Sequence, residues 1–546
     1  MDFKQLFDII YWELNVYYLQ PTIFYNFKNI KKVCKKWNLF WIYDKIIRLD
    51  INTGKIIPNV KIYSLKNLNN VKYLNFNKNN YVKDLNFCEQ LLYLHCESTN
   101  SEIPETLDCL EELYCEFNWN LIKIPEIKTL KKINCGNTNI SEIPESLNCL
   151  EELICSWCHN LKKIPEIKTL KKLDCYNTNI SVIPETLNCL EELNCSCYNL
   201  IKIPEIKTLK KLECINTKIS EIPETLKCLE ELNCTSCQNL IEIPEIKTLK
   251  KLYCCSSYNL IKIPEIKTLK KIDCRYTNIG EIPETLNCLE ELNCSWCKNL
   301  IKIPKIKTLK KLNCENTNIS VIPETLNCLE DLNCYFCKNL TKLPNIETLK
   351  ILKCGITKIK EISETLVCLE ELDCSGCIKL KKIPNIKTLK KLNCFYTYIN
   401  EIPETLCCLE ELDCSGCENL KKIPNVKTLK KLICYHTNIS EIPETLNCLE
   451  ELNCHLCKNL IKIPEIKTLK ILNCGHTNIS EIPKTLDCLE ELNCSFCGNL
   501  TKLPNIKTLR KLFWNNVKIN EIPKEILNCL EELNYRRLNF NKNPKN

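Results

Sequence analysis

Residues Cys135–Asp174 read CGNTNISEIPESLNCLEELICSWCHNLKKIPEIKTLKKLD, and most of the chain consists of copies of this stretch. Each copy has two related halves of about 20 residues. Half A has the pattern C-x-N-T-N-I-S-E-I-P-E-T-L-x-C-L-E-E-L, and half B has the pattern C-S-x-C-x-N-L-x-K-I-P-E-I-K-T-L-K-K-L. A period this regular predicts a repeat architecture, in which each unit stacks on its neighbours, in place of several separate globular domains.

Both halves share the frame L-x-x-L-x-C-x-x-(T or C), and its residues are Leu150, Leu153, Cys155 and Cys158 in one half and Leu170, Leu173, Cys175 and Thr178 in the next. This spacing resembles the frame of leucine-rich repeat proteins, with cysteine at the third apolar position. The resemblance covers about residues 71–535. It implies an α/β repeat fold, a right-handed leucine-rich-repeat solenoid with a concave parallel β-sheet, short convex turns and a small helical N-terminal cap.

The frame alternates with period two, so it predicts a short strand whose leucine and cysteine side chains face inward. The return segment begins Ile-Pro-Glu. Because proline disfavours strand and helix interiors, and 20 residues leave no room for a full helix, we expect extended or single-turn return segments. The spacing predicts about 24 repeats of 20 residues in residues 71–535, after a degenerate segment, residues 49–70, and before a short basic tail, residues 536–546.

Residues 1–48 do not repeat. Their apolar residues fall at helical spacing on both sides of Pro21, which favours a helical cap over the open end of a solenoid. The same segment resembles an F-box, through Val33-Cys34-Lys35-Lys36-Trp37 and the apolar skeleton of residues 5–14. That resemblance implies a substrate receptor of a cullin-based ubiquitin ligase, and its Skp-family adaptor would contact Leu6, Ile9, Ile10, Leu14, Val33, Cys34 and Trp37. Both hypotheses stay open.

Composition and charge narrow the class of protein. The formal net charge of +8 is small for 546 residues, and acidic and basic residues alternate, so we expect no nucleic-acid partner. The opening MDFKQLFDII lacks the features of a signal peptide. The sequence contains no run of 18 apolar residues, the length that would predict a membrane span. We therefore expect a cytoplasmic, intracellular protein without a membrane partner. The cysteine-bearing frame and the Asn- and Lys-rich composition resemble leucine-rich repeat proteins of giant DNA viruses of amoebae, which implies the host cell cytoplasm.

The 45 cysteines fall into three classes. One class ends the strand frame, as Cys155 does; a second lies in the segment N-C-L-E-E-L, as Cys149 does; the third completes C-x-x-C pairs in half B, as Cys158 does. The C-x-x-C spacing suggests zinc or redox chemistry, so a metal-storing or redox protein is one alternative function. Because both members of each pair occupy inward positions, we expect core packing with raised thiol pKa values, and we predict no metal and no cofactor.

Charges outside the core follow the repeat. Strands that enter half A carry Lys-Lys and strands that enter half B carry Glu-Glu, so we expect lysine and glutamate stripes that alternate and pair along the sheet. Two B halves follow one another at Cys234 and Cys254, which interrupts the alternation. The sequence therefore predicts a basic spot, formed by Lys250, Lys251, Lys270 and Lys271, that favours an acidic partner.

The two residues after each strand cysteine vary between copies and are often aromatic. Exposed aromatic side chains on a concave face or its rim are typical anchors for a protein partner, although they can also pack on a neighbouring repeat. We call these candidate partner-binding residues the aromatic row: Phe117, Trp157, Tyr176, Tyr276, Trp296, Tyr335, Phe336, Phe395, Tyr396, Tyr435 and His436.

No enzyme signature accompanies these features. The sequence has no phosphate-binding glycine loop, no G-x-S-x-G and no H-E-x-x-H. His436, His455 and His476 lie on adjacent predicted strands, but His455 is one position earlier in its repeat, which does not favour a shared metal ion. The sequence therefore predicts a non-enzymatic scaffold that binds a protein partner on its concave face, with the F-box-like receptor as the alternative.

Overall fold

A computed structural model describes residues 48–50, 72–77, 85, 88–97, 103–519 and 522–534. It divides into two compact units, unit 1 (Met1–Glu213) and unit 2 (Cys214–Asn546). The predicted helical cap and the F-box-like residues lie outside the described residues, as do the basic tail and most of residues 49–70.

Unit 1 holds nine described strands, and successive strands pair in parallel. They are β1 Arg48–Asp50, β2 Tyr73–Asn77, β3 Tyr93–Glu97, β4 Glu112–Tyr114, β5 Lys132–Asn134, β6 Glu152–Ile154, β7 Lys172–Asp174, β8 Glu192–Asn194 and β9 Lys211–Glu213.

Unit 2 continues the same pattern with sixteen described strands. They are β10 Glu231–Asn233, β11 Lys251–Tyr253, β12 Lys271–Asp273, β13 Glu291–Asn293, β14 Lys311–Asn313, β15 Asp331–Asn333, β16 Ile351–Lys353, β17 Glu371–Asp373, β18 Lys391–Asn393, β19 Glu411–Asp413, β20 Lys431–Ile433, β21 Glu451–Asn453, β22 Ile471–Asn473, β23 Glu491–Asn493, β24 Lys511–Phe513 and β25 Glu532–Asn534. Within the described residues helix is confined to α1, Lys524–Leu527.

The core of each unit consists of stacked leucine, isoleucine and cysteine side chains. In one repeat Leu150, Leu153 and Cys155 are fully buried, and the isoleucine and leucine of the return segment close the core from the other side. Each buried leucine contributes about 1.5–3 kcal/mol relative to an exposed one. The strand's middle residue points inward and its two neighbours point to solvent, as the period-two alternation predicts. The predicted parallel-sheet solenoid with short return turns is thus confirmed.

Most strands are shorter than the frame predicts, because they end one residue before the cysteine. The cysteine N–H still donates to the next strand, as Cys155 N–H does to the Asp174 carbonyl oxygen at 2.8 Å. The chain then turns inside the core. There the Thr138 hydroxyl donates to the Cys135 carbonyl oxygen at 2.7 Å, and the Cys158 thiol donates to the same oxygen at 3.1 Å. These side chains satisfy a buried carbonyl that the shortened strand leaves without a backbone partner.

Candidate binding surface

The turn after each strand determines where the aromatic row points. In half B the turn is fixed by the last strand residue, as when the Asn293 side-chain oxygen accepts hydrogen bonds from the Ser295 backbone N–H at 3.3 Å and from the Ser295 hydroxyl at 2.9 Å. Asparagine and aspartate favour this local hydrogen bonding. The next residue, Trp296, donates its backbone N–H to the Glu315 carbonyl oxygen at 2.8 Å. The row therefore lies just after the strands end, in a turn that is still hydrogen-bonded to the next repeat.

Many residues of the row adopt a backbone conformation that side chains seldom accept. The second residue after the strand cysteine has a positive φ, which is 63° at Trp157 and 57° at Tyr276. Among halves that lack an aromatic residue at this position asparagine is the commonest residue, as at Asn177 and Asn316, and asparagine tolerates the left-handed region. The members of the aromatic row that share this position are Phe117, Trp157, Tyr276, Trp296, Phe336, Tyr396 and His436.

Two exposed aromatic pairs stand out, one in each unit. In unit 1 the Trp157 and Tyr176 ring centroids lie 5.5 Å apart, and the two residues are 46% and 37% exposed. In unit 2 Tyr276 and Trp296 stack with ring centroids 5.3 Å apart, at 42% and 39% exposure. The Lys298 ammonium lies 5.2 Å from the Trp296 ring centroid. Such pairs offer preorganised apolar surface bordered by charge.

Other members of the row pack on neighbouring repeats. Tyr335 covers Gly355, where a Cβ atom would lie 2.3 Å from the tyrosine ring, and Tyr396 covers Gly416 in the same way. Phe395 is half-buried between Tyr396 and Tyr435, with ring-centroid distances of 4.7 Å and 6.0 Å. The contact covers part of the Tyr335 and Phe395 rings, whereas Tyr396 remains 55% exposed.

Further exposed aromatic residues, not predicted from the sequence as partner-binding, lie close to the row. Phe496 occupies the positive-φ position, is exposed, and stacks on His476 with centroids 4.2 Å apart. A second set lies two residues further along the turn and comprises Trp119, Tyr198, Tyr258 and Tyr398. The pattern that defines the row covers only the two positions after the strand cysteine, so it excludes this second set, whereas Phe496 lies at the second of these positions.

The lysine and glutamate stripes lie on the solvent face of the sheet and form ion pairs between neighbouring strands, as predicted. Lys171 contacts Glu151 at 2.9 Å in unit 1, and Lys350 contacts Glu330 at 2.7 Å in unit 2. At the interruption in unit 2, β11 pairs with β12 so that Lys251 lies directly beside Lys271. The structure thus places the four lysines of the basic spot on adjacent strands.

The C-x-x-C pairs are buried, as expected. Cys155 and Cys158 are both inaccessible to solvent, and burial raises the pKa of Cys155 well above its ordinary value. The expected rise in pKa is wrong for the second cysteine of the pair, because hydrogen bonds from Cys135 and Thr138 lower the pKa of Cys158 to about 7. However, only the protonated Cys158 thiol can donate to the Cys135 carbonyl oxygen, so we expect the thiol form in the core.

The cysteines of the N-C-L-E-E-L segments have a different environment, which the sequence analysis did not predict. They lie in the turn before the strand and are exposed, as Cys149 is. Among the described residues no group of three or more histidine, cysteine, aspartate or glutamate side chains is arranged to hold a metal ion. The rings of His455 and His476 are in contact, with centroids 5.1 Å apart.

The fold is that of a leucine-rich repeat solenoid. Among solved structures the chain is similar to YopM from Yersinia enterocolitica WA-314, with a TM-score of 0.50 and 19% identity over 90% of this chain and 91% of that one. It is also similar to the functional domain of InlJ from Listeria monocytogenes, which includes a cysteine ladder, with a TM-score of 0.45 and 22% identity over 61% of this chain and 70% of that one.

A further similarity is to the plant peptide hormone receptor RGFR1 in complex with RGF2, with a TM-score of 0.46 and 18% identity over 86% of this chain and 94% of that one. At these identities the likeness concerns the fold alone. No protein-family model matches the sequence, and no curated protein matches it. No helix in the described ranges is long and apolar enough to span a bilayer.

Proposed function

We propose that the chain is a non-enzymatic scaffold that binds a protein partner along the aromatic row and the adjoining solvent face of the sheet. The observation that carries the proposal is the stacked, exposed pair Tyr276 and Trp296. Aromatic side chains supply much of the binding energy at protein interfaces because they bury a large area at low conformational cost. The intracellular location and the concave form of the binding face belong to the same proposal.

The local backbone supports this role. Trp296 and Tyr276 both have a positive φ, and each donates its backbone N–H to the following repeat, so hydrogen bonds hold the turn that carries the two rings. A side chain on an ordered turn loses little conformational entropy when it binds, which lowers the entropic cost of association. The variable residues are thus presented by a constant framework, an arrangement suited to recognition.

The test replaces both rings with the residue that other halves carry at this position. Tyr276→Asn/Trp296→Asn removes the apolar surface but keeps a side chain that accepts the positive φ. Partners are captured from eukaryotic lysate with the wild-type chain and identified, and the affinity of each purified partner is then measured for every variant. We expect the double variant to bind at least about tenfold more weakly, which corresponds to about 1.4 kcal/mol.

Tyr258→Asn serves as the matched control, because Tyr258 is exposed in unit 2 but lies outside the aromatic row. Equal affinity of the double variant and the wild type for every captured partner would contradict the proposal. A Trp37→Ala variant tests the adaptor hypothesis separately. Loss of a Skp-family adaptor from that variant alone would assign adaptor binding to the N-terminal segment.

A further inference from the structure

The ion-pair ladder of unit 2 follows a simple rule. With one exception, the lysine that immediately precedes a strand contacts the glutamate that immediately precedes the strand before it. The N–O distances are 2.8 Å for Lys250–Glu230, 2.7 Å for Lys310–Glu290, 2.7 Å for Lys350–Glu330, 2.7 Å for Lys390–Glu370, 2.7 Å for Lys430–Glu410 and 2.7 Å for Lys470–Glu450. Each of these ammonium groups is therefore already matched by a carboxylate.

Lys270 breaks the rule. The residue immediately before the preceding strand, β11, is Lys250, where every other lysine of this set meets a glutamate, and Lys250 itself contacts Glu230. On the other side, Glu290 of the following repeat is held by Lys310 at 2.7 Å. Within the part of the chain that the structure describes, Lys270 is left without an ion pair.

The other lysines of the basic spot turn away from one another. Lys251 contacts Glu231 at 3.1 Å on one side, and Lys271 contacts Glu291 at 2.8 Å on the other. Like charges placed side by side on neighbouring strands repel, so each ammonium group is drawn toward its outer glutamate. Lys270, at the centre of the spot, therefore has no carboxylate within ion-pair distance among the described residues, and Glu290, which interacts with it electrostatically, is itself paired with Lys310.

The stretch of the sheet between the glutamates at β10 and β13, centred on Lys270, is called the gap. We infer that the gap binds a carboxylate side chain of a short acidic segment in a protein partner. The size of the gap favours a short anion. Glutamate stripes border it at β10 and β13, which are three strand spacings, or roughly 14 Å, apart. A nucleic-acid backbone running along the sheet would meet these glutamates on both sides, whereas one or two carboxylates fit between them.

The gap also lies on the strand that leads to the exposed aromatic pair. Lys270 and Lys271 are at the start of β12, and Tyr276 follows its end. The inference does not depend on the aromatic pair, because it rests on the charge arrangement alone. A partner that used both surfaces would place an acidic residue at one end of β12 and an apolar residue at the other.

The test measures binding of a fluorescein-labelled oligoglutamate peptide to the full-length protein at low salt, by fluorescence polarisation. The variant Lys270→Gln/Lys271→Gln removes two positive charges at the gap. The control Lys430→Gln/Lys431→Gln removes two positive charges where both lysines are paired, with Glu410 at 2.7 Å and Glu451 at 2.8 Å. We expect about fivefold weaker binding for the first variant and less than about twofold for the control.

Equal losses in the two variants would overturn the inference, since they would show only general attraction to a positive surface. Unchanged binding in both would overturn it as well. Single-stranded DNA is used as a second probe, and DNA binding that is tighter than peptide binding and also lost in Lys270→Gln/Lys271→Gln would reassign the gap to nucleic acid. Thermal unfolding of each variant verifies that it is folded. The outcome is separable from that for Tyr276→Asn/Trp296→Asn, which leaves all four lysines in place.

Discussion

At the scale of single residues, glycine has a specific role in a chain that contains only eight. Tyr335 lies over Gly355, Tyr396 over Gly416 and His455 over Gly475, each glycine being 20 positions after the ring it accommodates. The ring of one repeat thus occupies the volume that a side chain would take in the next. At these three places an aromatic ring and the glycine one repeat later form a packing pair.

Gly355→Ala should destabilise unit 2, because the added Cβ atom would lie 2.3 Å from the Tyr335 ring and 2.7 Å from the Ser375 carbonyl oxygen. Overpacking of this kind costs about 1–3 kcal/mol in the free energy of unfolding, which urea denaturation can measure. Gly498→Ala is the matched control, since its Cβ atom would meet no atom within 4 Å. The packing interpretation fails if the two substitutions have the same effect.

At the scale of the repeat element, the turn before each strand alternates between two side chains. In half B it carries threonine, and the Thr169 hydroxyl donates to the Leu150 carbonyl oxygen at 2.8 Å and to the Asn148 carbonyl oxygen at 3.1 Å. In half A the same place carries cysteine, as at Cys149, and the thiol is exposed. The exposed thiols therefore recur every second repeat along one edge of the sheet, about 10 Å apart.

Titration of the native protein with a thiol reagent should modify the exposed class rapidly and leave the core thiols protected. Twelve of the 44 described cysteines are exposed, namely Cys109, Cys149, Cys189, Cys228, Cys288, Cys328, Cys368, Cys407, Cys408, Cys448, Cys488 and Cys529. We expect about twelve fast thiols from this set before denaturant is added, and the rest afterwards. Mass spectrometry of the modified peptides identifies the sites. Fast labelling of Cys155 or Cys158 would contradict the burial of the C-x-x-C pairs.

The repeat element also shows what sequence could and could not predict. The period-two frame predicted that Leu153 and Cys155 face the core, because alternation in a strand directly encodes the two faces. The exposure of Cys149 was missed, since a turn has no such alternation and cysteine is a common core residue. The positive φ at Trp157 was missed for a related reason, because a bulky aromatic residue does not signal the left-handed region as glycine does. Sequence thus predicted the sheet and located the aromatic row, but not which rings are exposed.

At the scale of the whole molecule, the ion-pair ladder makes stability depend on pH. Hydrogen bonds from the paired lysines lower the pKa values of Glu330, Glu370, Glu410 and Glu450 below their ordinary value. A carboxyl group with a lowered pKa contributes stability above the unfolded value of about 4.3, and this contribution is lost as the pH falls through the folded pKa. We expect the melting temperature to fall below about pH 4.5, and less steeply in high salt. A melting temperature that is constant down to pH 3 would contradict the ladder's contribution.

The alternation of the two halves makes the effect of a deletion depend on its length. Removing residues 334–373, one full A and B period of unit 2, joins β15 to the repeat that follows β17, so a glutamate stripe again precedes a lysine stripe. Removing residues 334–353, a single half, places the Glu330 and Asp331 stripe directly beside Glu370 and Glu371. Both deletions keep the leucine frame, but only the shorter one brings like charges together.

Because a repeat contacts only its neighbours, we expect the 40-residue deletion to fold and to melt within about 5 °C of the full chain. The 20-residue deletion should melt at a lower temperature, and added salt should narrow the difference by screening the repulsion. Thermal unfolding followed by circular dichroism at low and high salt measures both effects. If the shorter deletion were as stable as the longer one at low salt, the alternating charges would have no part in stability, and the A and B halves would be energetically interchangeable.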